Sequence, residues 1–162
     1  MKEEIRQLFE ECISRDNEEE LENLKNILKG VQNKQLGINT SYIGGLLHME
    51  RTINDHVCEV TIPLYSYLNN SLNIVHGGIT ATLLDSAMGN LANSLLPVGY
   101  TAVTSQLNVH YISVGKGEYL TCKAEVSHKG TKVMLITGDV YRSDGRKIAH
   151  ATGTFFIIEK KE

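Results

Sequence analysis

Apolar residues recur along this chain with two different periods, and the change between them divides it. Ile5, Leu8, Phe9, Cys12 and Ile13 repeat at helical spacing, as do Leu21, Leu24, Leu28 and Val31. Asn17 stands before the second run and Gly30 near its end, as start and stop signals would. Two short amphipathic helices over residues 1–35 follow from this, each needing a surface to cover. From Tyr42 the period shortens. Segments 42–52 and 55–63 read as strands joined at Asn54-Asp55, and a long helix is expected from about His76 to Leu96, ended by Pro97 and Gly99. Four more strands are expected at 101–112, 118–127, 132–142 and 147–158, with turns at Gly115-Lys116-Gly117, Lys129-Gly130 and Ser143-Asp144-Gly145. In the first of these, Val103, Ser105, Leu107, Val109 and Tyr111 are expected to share one face, and Thr104, Gln106, Asn108 and His110 the other. Short connections favour antiparallel pairing. Two strands, one long helix and four strands make an α+β plan.

Within the long helix, Thr82, Asp85, Ser86, Gly89, Asn90 and Asn93 form a polar arc, while Leu83, Leu84, Ala87, Met88, Leu91 and Leu95 fill most of the rest. A helix this widely apolar must be wrapped, and the sheet is the only candidate. Asp85, at the border of the arc, is the only formally charged residue between Glu59 and Lys116, in a chain that is 22% charged. Desolvating a lone carboxylate is costly unless a partner or a chemical task justifies it. Asp85 is therefore a candidate acid, base or nucleophile in an apolar cleft, or an Asp at a solvated helix edge. Gly77 and Gly78 open the same helix. Their bare N–H groups at the positive end of the helix could polarise a carbonyl oxygen, or the pair could serve only close packing of helix on sheet.

Composition narrows the function classes. A net charge of −3, with six basic and nine acidic groups in residues 1–35, gives no electrostatic case for nucleic acid or an anionic membrane. Three cysteines without a CxxC read as reduced thiols, and the acidic N-terminus carries no apolar signal segment, so a cytoplasmic location is expected. No apolar run is long enough for a membrane span. His48, His56, His110, His128 and His150 show no ligand spacing, so neither a metal nor a cofactor is expected, and no GxSxG elbow is present.

Asn70, the His76-Gly77-Gly78 triplet and Asp85, followed by the strand Thr104-Ser105-Gln106-Leu107-Asn108-Val109-His110-Tyr111, resemble the hotdog-fold acyl-CoA thioesterases. The similarity is to their PaaI-type, 4-hydroxybenzoyl-CoA thioesterase-like branch, over nearly all the chain after the N-terminal helices. The resemblance implies an antiparallel sheet wrapped around one central helix over residues 40–160, with residues 1–35 as an extension outside the minimal pattern. It also implies a homodimer with sites between subunits, often a dimer of dimers. Position by position, it implies Asp85 as nucleophile or base, and Gly77 helped by Gly78 as oxyanion donors. Asn70 would orient the attacking group, and His76 would sit by the sulfur or hold the loop. Thr104, on the partner's strand, would assist water, and His128, Lys129, Gly130, Thr131 and Lys132 would meet CoA phosphates. The implied activity is hydrolysis of a small aromatic or short- to medium-chain acyl-CoA. A non-catalytic acyl-CoA sensor and an interaction module are the alternatives.

Overall fold

The computed structural model describes residues 1–14, 17–54 and 56–160. Its elements run α1 (Lys2–Ile13), α2 (Glu18–Gln35), α3 (Tyr42–Leu46), β1 (Glu50–Asn54), β2 (Val57–Pro63), a 3-10 turn (Ser66–Leu68), α4 (Gly77–Ser94), β3 (Tyr100–Tyr111), β4 (Tyr119–Lys129), β5 (Val133–Arg142) and β6 (Lys147–Glu159). Two compact units result: Met1–His48 with Tyr65–Tyr67, and Met49–Leu64 with Leu68–Glu162.

In the first unit Asn17 caps α2, its side chain accepting from the N–H groups of Glu19 (3.0 Å) and Glu20 (3.3 Å), with three glutamates in the first turn to suit the positive helix end. Gly30 does not stop α2, which continues to Gln35. A Cβ on Gly45 would lie 2.3 Å from the Gly30 carbonyl oxygen, so these two glycines let the backbones of α2 and α3 touch. Residues 42–46 are helix rather than strand because Ser41 caps them, accepting from the Gly44 N–H at 3.1 Å. The first strand therefore begins only at Glu50, and Asp55 of the expected Asn54-Asp55 turn lies outside the described residues. The apolar stripe of α1 is present, but Ile5, Leu8, Phe9 and Ile13 are all exposed.

The second unit is one antiparallel sheet in the order β1-β2-β4-β5-β6-β3, with α4 across one face. Alternate residues of the strands turn toward the helix: Val60 and Ile62, Leu120 and Cys122, Met134 and Ile136, Ala151 and Phe155, all at most 1% exposed. Against them α4 buries Leu83, Leu84, Met88 and Leu91 completely, each worth roughly 1.5–3 kcal/mol of transfer free energy. The close approach is made at Gly138 of β5, where a Cβ would lie 3.0 Å from Leu84 and 3.3 Å from Met88. All three cysteines are free thiols; burial pushes Cys58 up to about 11 and Cys122 further still, which leaves both unreactive.

Strict alternation fails in β3. Thr104 and Tyr111 are seven positions apart and should face opposite ways, yet both hydrogen-bond to α4. A register shift between Thr104 and Gln106 absorbs one residue, so Thr104 joins Leu107, Val109 and Tyr111 on the helix side. Val103 pairs with Phe156 on the other face, where both are exposed.

On that outer face Asp139 accepts from Lys147 Nζ and His150 Nδ1, each at 2.7 Å. Desolvation alone would raise the Asp139 carboxyl, but the two hydrogen bonds and the charges behind them hold it below its ordinary value. A lowered carboxylate stabilises the fold above its unfolded pKa and loses that contribution as pH falls through the folded pKa. The stability gap between wild type and Asp139→Asn is expected to close below about pH 4, measured by urea melts across pH. In the core, Leu84→Ala is expected to cost about 2–5 kcal/mol, as a shift in urea midpoint at unchanged m-value.

Candidate active site

The polar arc of α4 lies along β3 and is held there by three contacts. Tyr111 Oη donates to the Gly77 carbonyl (2.9 Å), Thr104 Oγ1 donates to Asp85 Oδ1 (2.7 Å), and Asn93 Oδ1 accepts from Thr101 Oγ1 (2.7 Å) and the Ala102 N–H (3.0 Å). Elsewhere the arc satisfies itself: Thr82, Asn90 and Asn93 donate to the carbonyls of Gly78, Ser86 and Gly89. Asp85 is half-buried, and no ion pair among the described residues includes it. Its recorded partner is the neutral Thr104 hydroxyl of its own chain, so its charge is not tied up in a salt bridge. Tyr111, by contrast, drew no attention as a site residue in the sequence, where it is only the last position of an alternating strand.

His76 is the N-cap of α4, and its Nδ1 accepts the Gly78 N–H at 2.9 Å. An accepting Nδ1 leaves the ring proton on Nε2. His76 thus holds the loop-to-helix junction. The Gly78 donor is spent on this cap, and a Cβ there would stand 3.0 Å from His76 Nδ1. Of the two adjacent N–H groups, that of Gly77 is taken by no acceptor among the described residues. Nor does close packing explain Gly77: a Cβ would meet only the Tyr111 ring, at an ordinary 3.5 Å.

Asn70 Oδ1 accepts from the Leu72 N–H (2.9 Å) and, more weakly, the Ile74 N–H (3.5 Å), closing a turn whose Asn73 has φ of 53°. The turn delivers Val75 and His76 to the helix start, and Asn70 borders the same cavity of about 340 Å³ as Gly77 and Tyr111. The basic hairpin sits at the other end of α4. Lys129 Nζ donates to the Leu95 carbonyl (2.8 Å), a cation at a helix C-terminus, and the Gly130 N–H closes the turn on the Val133 carbonyl (2.9 Å). His128, Thr131 and Lys132 are exposed.

Along the helix, Gly77 and Asp85 are eight residues apart, about 12 Å at 1.5 Å per residue. An oxyanion donor and an attacking group must both come within about 3 Å of one carbonyl. Within one chain, therefore, Gly77 and Asp85 do not meet at one carbonyl. Strand β3, which holds both in place, is the last strand of the sheet, with its outer edge unpaired among the described residues. Among these residues there is no cluster of His, Cys, Asp or Glu suited to a metal, and no helix is long and apolar enough to cross a membrane.

The family model of the Thioesterase superfamily matches residues 72–149. A Halobacterium salinarum protein named as an esterase is 31% identical over 116 residues, covering 65% of this chain and 76% of that protein. The Escherichia coli medium/long-chain acyl-CoA thioesterase YigI is 28% identical over 107 residues, 55% of this chain and 66% of that enzyme. Among solved structures, a Bacillus halodurans protein crystallised with CoA superposes with a TM-score of 0.87 at 41% identity, covering 94% of this chain and 99% of its own. The Escherichia coli PaaI protein superposes with a TM-score of 0.70 at 21% identity, covering 84% and 98%, a likeness of fold. The sheet wrapped on one helix is the hotdog arrangement these relatives share.

Removing the cap by His76→Ala is expected to cost about 0.5–2 kcal/mol of stability, read by chemical denaturation, because the Gly78 N–H loses its acceptor.

Proposed function

The chain belongs to the thioesterase superfamily, and from that premise we propose that it hydrolyses acyl-CoA thioesters at a site completed by a second copy of itself. The carrying observation is the split between Gly77 and Asp85, each anchored to the same edge strand and too far apart to serve one carbonyl. Tyr111 marks the Gly77 half of β3 and Thr104 the Asp85 half. Antiparallel pairing of two β3 edges about a two-fold axis at Asn108, with the extra residue at Ser105 again absorbed, sets Thr104 opposite Tyr111 of the partner subunit. Each Asp85 then approaches the Gly77 of the partner subunit, and two equivalent sites form.

At each site the thioester oxygen accepts the Gly77 N–H, where the helix end favours the negative charge that develops. Asp85 keeps one oxygen on Thr104 and with the other takes a proton from water, which attacks the carbonyl carbon. The tetrahedral intermediate collapses with loss of the CoA thiolate, a good leaving group, and the acid is released. No metal or cofactor enters this scheme. Asn70 holds the loop that presents Gly77, and His76 fixes the helix start. The CoA carried by the Bacillus halodurans relative supports CoA as the carrier. His128 and Lys132, exposed beside Lys129, are available to its phosphates, while Lys129 itself is occupied by α4. Small aromatic and short- to medium-chain acyl groups are the proposed substrates.

Thiol release from an acyl-CoA panel tests the activity. Asp85→Asn is expected to lower kcat/KM at least ~100-fold. Gly77→Pro is expected to do the same, since it removes the N–H at the first helical position, where proline fits. Mixing the two inactive variants is expected to restore about a quarter of wild-type activity, because half of the dimers then hold one intact site. No recovery on mixing refutes the shared site; binding of acyl-CoA without turnover supports the sensor alternative instead.

A further inference from the structure

The cavity beside Gly77 is walled by Ile74, Val75, Ile112, Val114 and Ile148, five branched aliphatic side chains, with Tyr111 at one side. Into this apolar wall is set Thr80, only 3% exposed. The hydroxyls of Thr82, Thr101 and Thr104 are each engaged, on Gly78, Asn93 and Asp85. Among the described residues no hydrogen bond engages that of Thr80. It is not sealed away either: among the described residues the fully buried side-chain polar atom without a partner is Arg142 Nε, so the Thr80 hydroxyl opens on the cavity. That space is large enough for a ligand group.

Thr80 follows Gly77 by three residues, so the two share a helix face about 4.5 Å apart along the axis. With a thioester oxygen on the Gly77 N–H, the carbonyl carbon stands at the cavity mouth and its substituents run past Thr80. We propose that this cavity receives the acyl group, and that the Thr80 hydroxyl selects acyl groups bearing an oxygen on the second or third carbon, as hydroxyacyl or oxoacyl thioesters do. The proposal rests on the thioesterase reading. The other substituent, the pantetheine arm, must run out to solvent to place its phosphates. A mostly apolar wall, with Ser113 and the hydroxyl of buried Thr80 set into it, suits a short aliphatic group that terminates inside and carries a polar atom. Thr80 is then a specificity-determining residue, not part of the reacting set.

The test compares length-matched pairs, butyryl-CoA with 3-hydroxybutyryl-CoA and hexanoyl-CoA with 3-hydroxyhexanoyl-CoA, on wild type, Thr80→Val and Thr80→Ser. Wild type is expected to favour the hydroxylated member by about tenfold in kcat/KM, the scale of one neutral hydrogen bond. Thr80→Val is expected to lose that preference on the hydroxylated substrate alone, and Thr80→Ser to retain it. Thr80→Val is also expected to melt no lower than wild type, because the hydroxyl it removes holds nothing in the fold. Equal slowing of both members, no preference in wild type, or a lower melting point overturns the proposal. Calorimetric binding of the same pairs to Asp85→Asn separates the two readings: a Thr80-dependent preference in binding without wild-type turnover upholds the acyl cavity while the hydrolytic reading falls.

Discussion

The rest of this structure depends on how one buried helix disposes of its polar side. Leu83, Leu84, Met88 and Leu91 commit α4 to the sheet, and the polar arc that remains, half-buried to exposed, is paired along its length. The helix pairs part of it with its own carbonyls, Asn90 also accepts from Arg51 of β1, and the rest meets one edge strand. Gly77, Asp85 and Asn93 each meet β3, at Tyr111, Thr104 and Thr101-Ala102. Helix and edge strand are thereby locked in register, with Gly77 and Asp85 both anchored to the last strand of the sheet.

That lock explains the isolation of Asp85 in physical terms. A cation nearby would neutralise the carboxylate and give it a structural role; a neutral hydroxyl orients it without spending its charge. At the helix start the economy is similar. His76 consumes one of two adjacent backbone donors and leaves the other. A cap that takes Gly78 while leaving Gly77 confines a binding oxygen to one direction. The two groups are separated by about two helical turns, which is why the proposed site draws on a pair of chains.

The first unit follows a different logic. It is built on α2, with its Asn17 cap, and on the backbone contact between Gly30 and Gly45. Its α1 keeps an apolar stripe exposed.

Much of the fold was legible because it is written in short-range periods. The 3.6-residue repeat of α4, its Pro97 and Gly99 stop, and the two-residue repeats of β4, β5 and β6 need no knowledge of distant segments, and all appear within a few residues of expectation. So was Asp85, whose solitude is a count along the chain. What escaped depends on particular contacts, some of them local side-chain caps and others between segments far apart in sequence. Ser41 and the Gly30–Gly45 contact turned an expected strand into α3. One absorbed residue at Ser105 swung Thr104 onto the helix side, which alternation alone had assigned to the opposite face. The spending of Gly78 on a side-chain cap and the unengaged hydroxyl of Thr80 could be seen only once neighbours were in place. By itself, then, the sequence determined which residues are chemically equipped, since charge, periodicity and turn chemistry are local. Tertiary structure alone decided which of them remain free to act, because a hydrogen bond is satisfied or left open only by what the fold sets beside it.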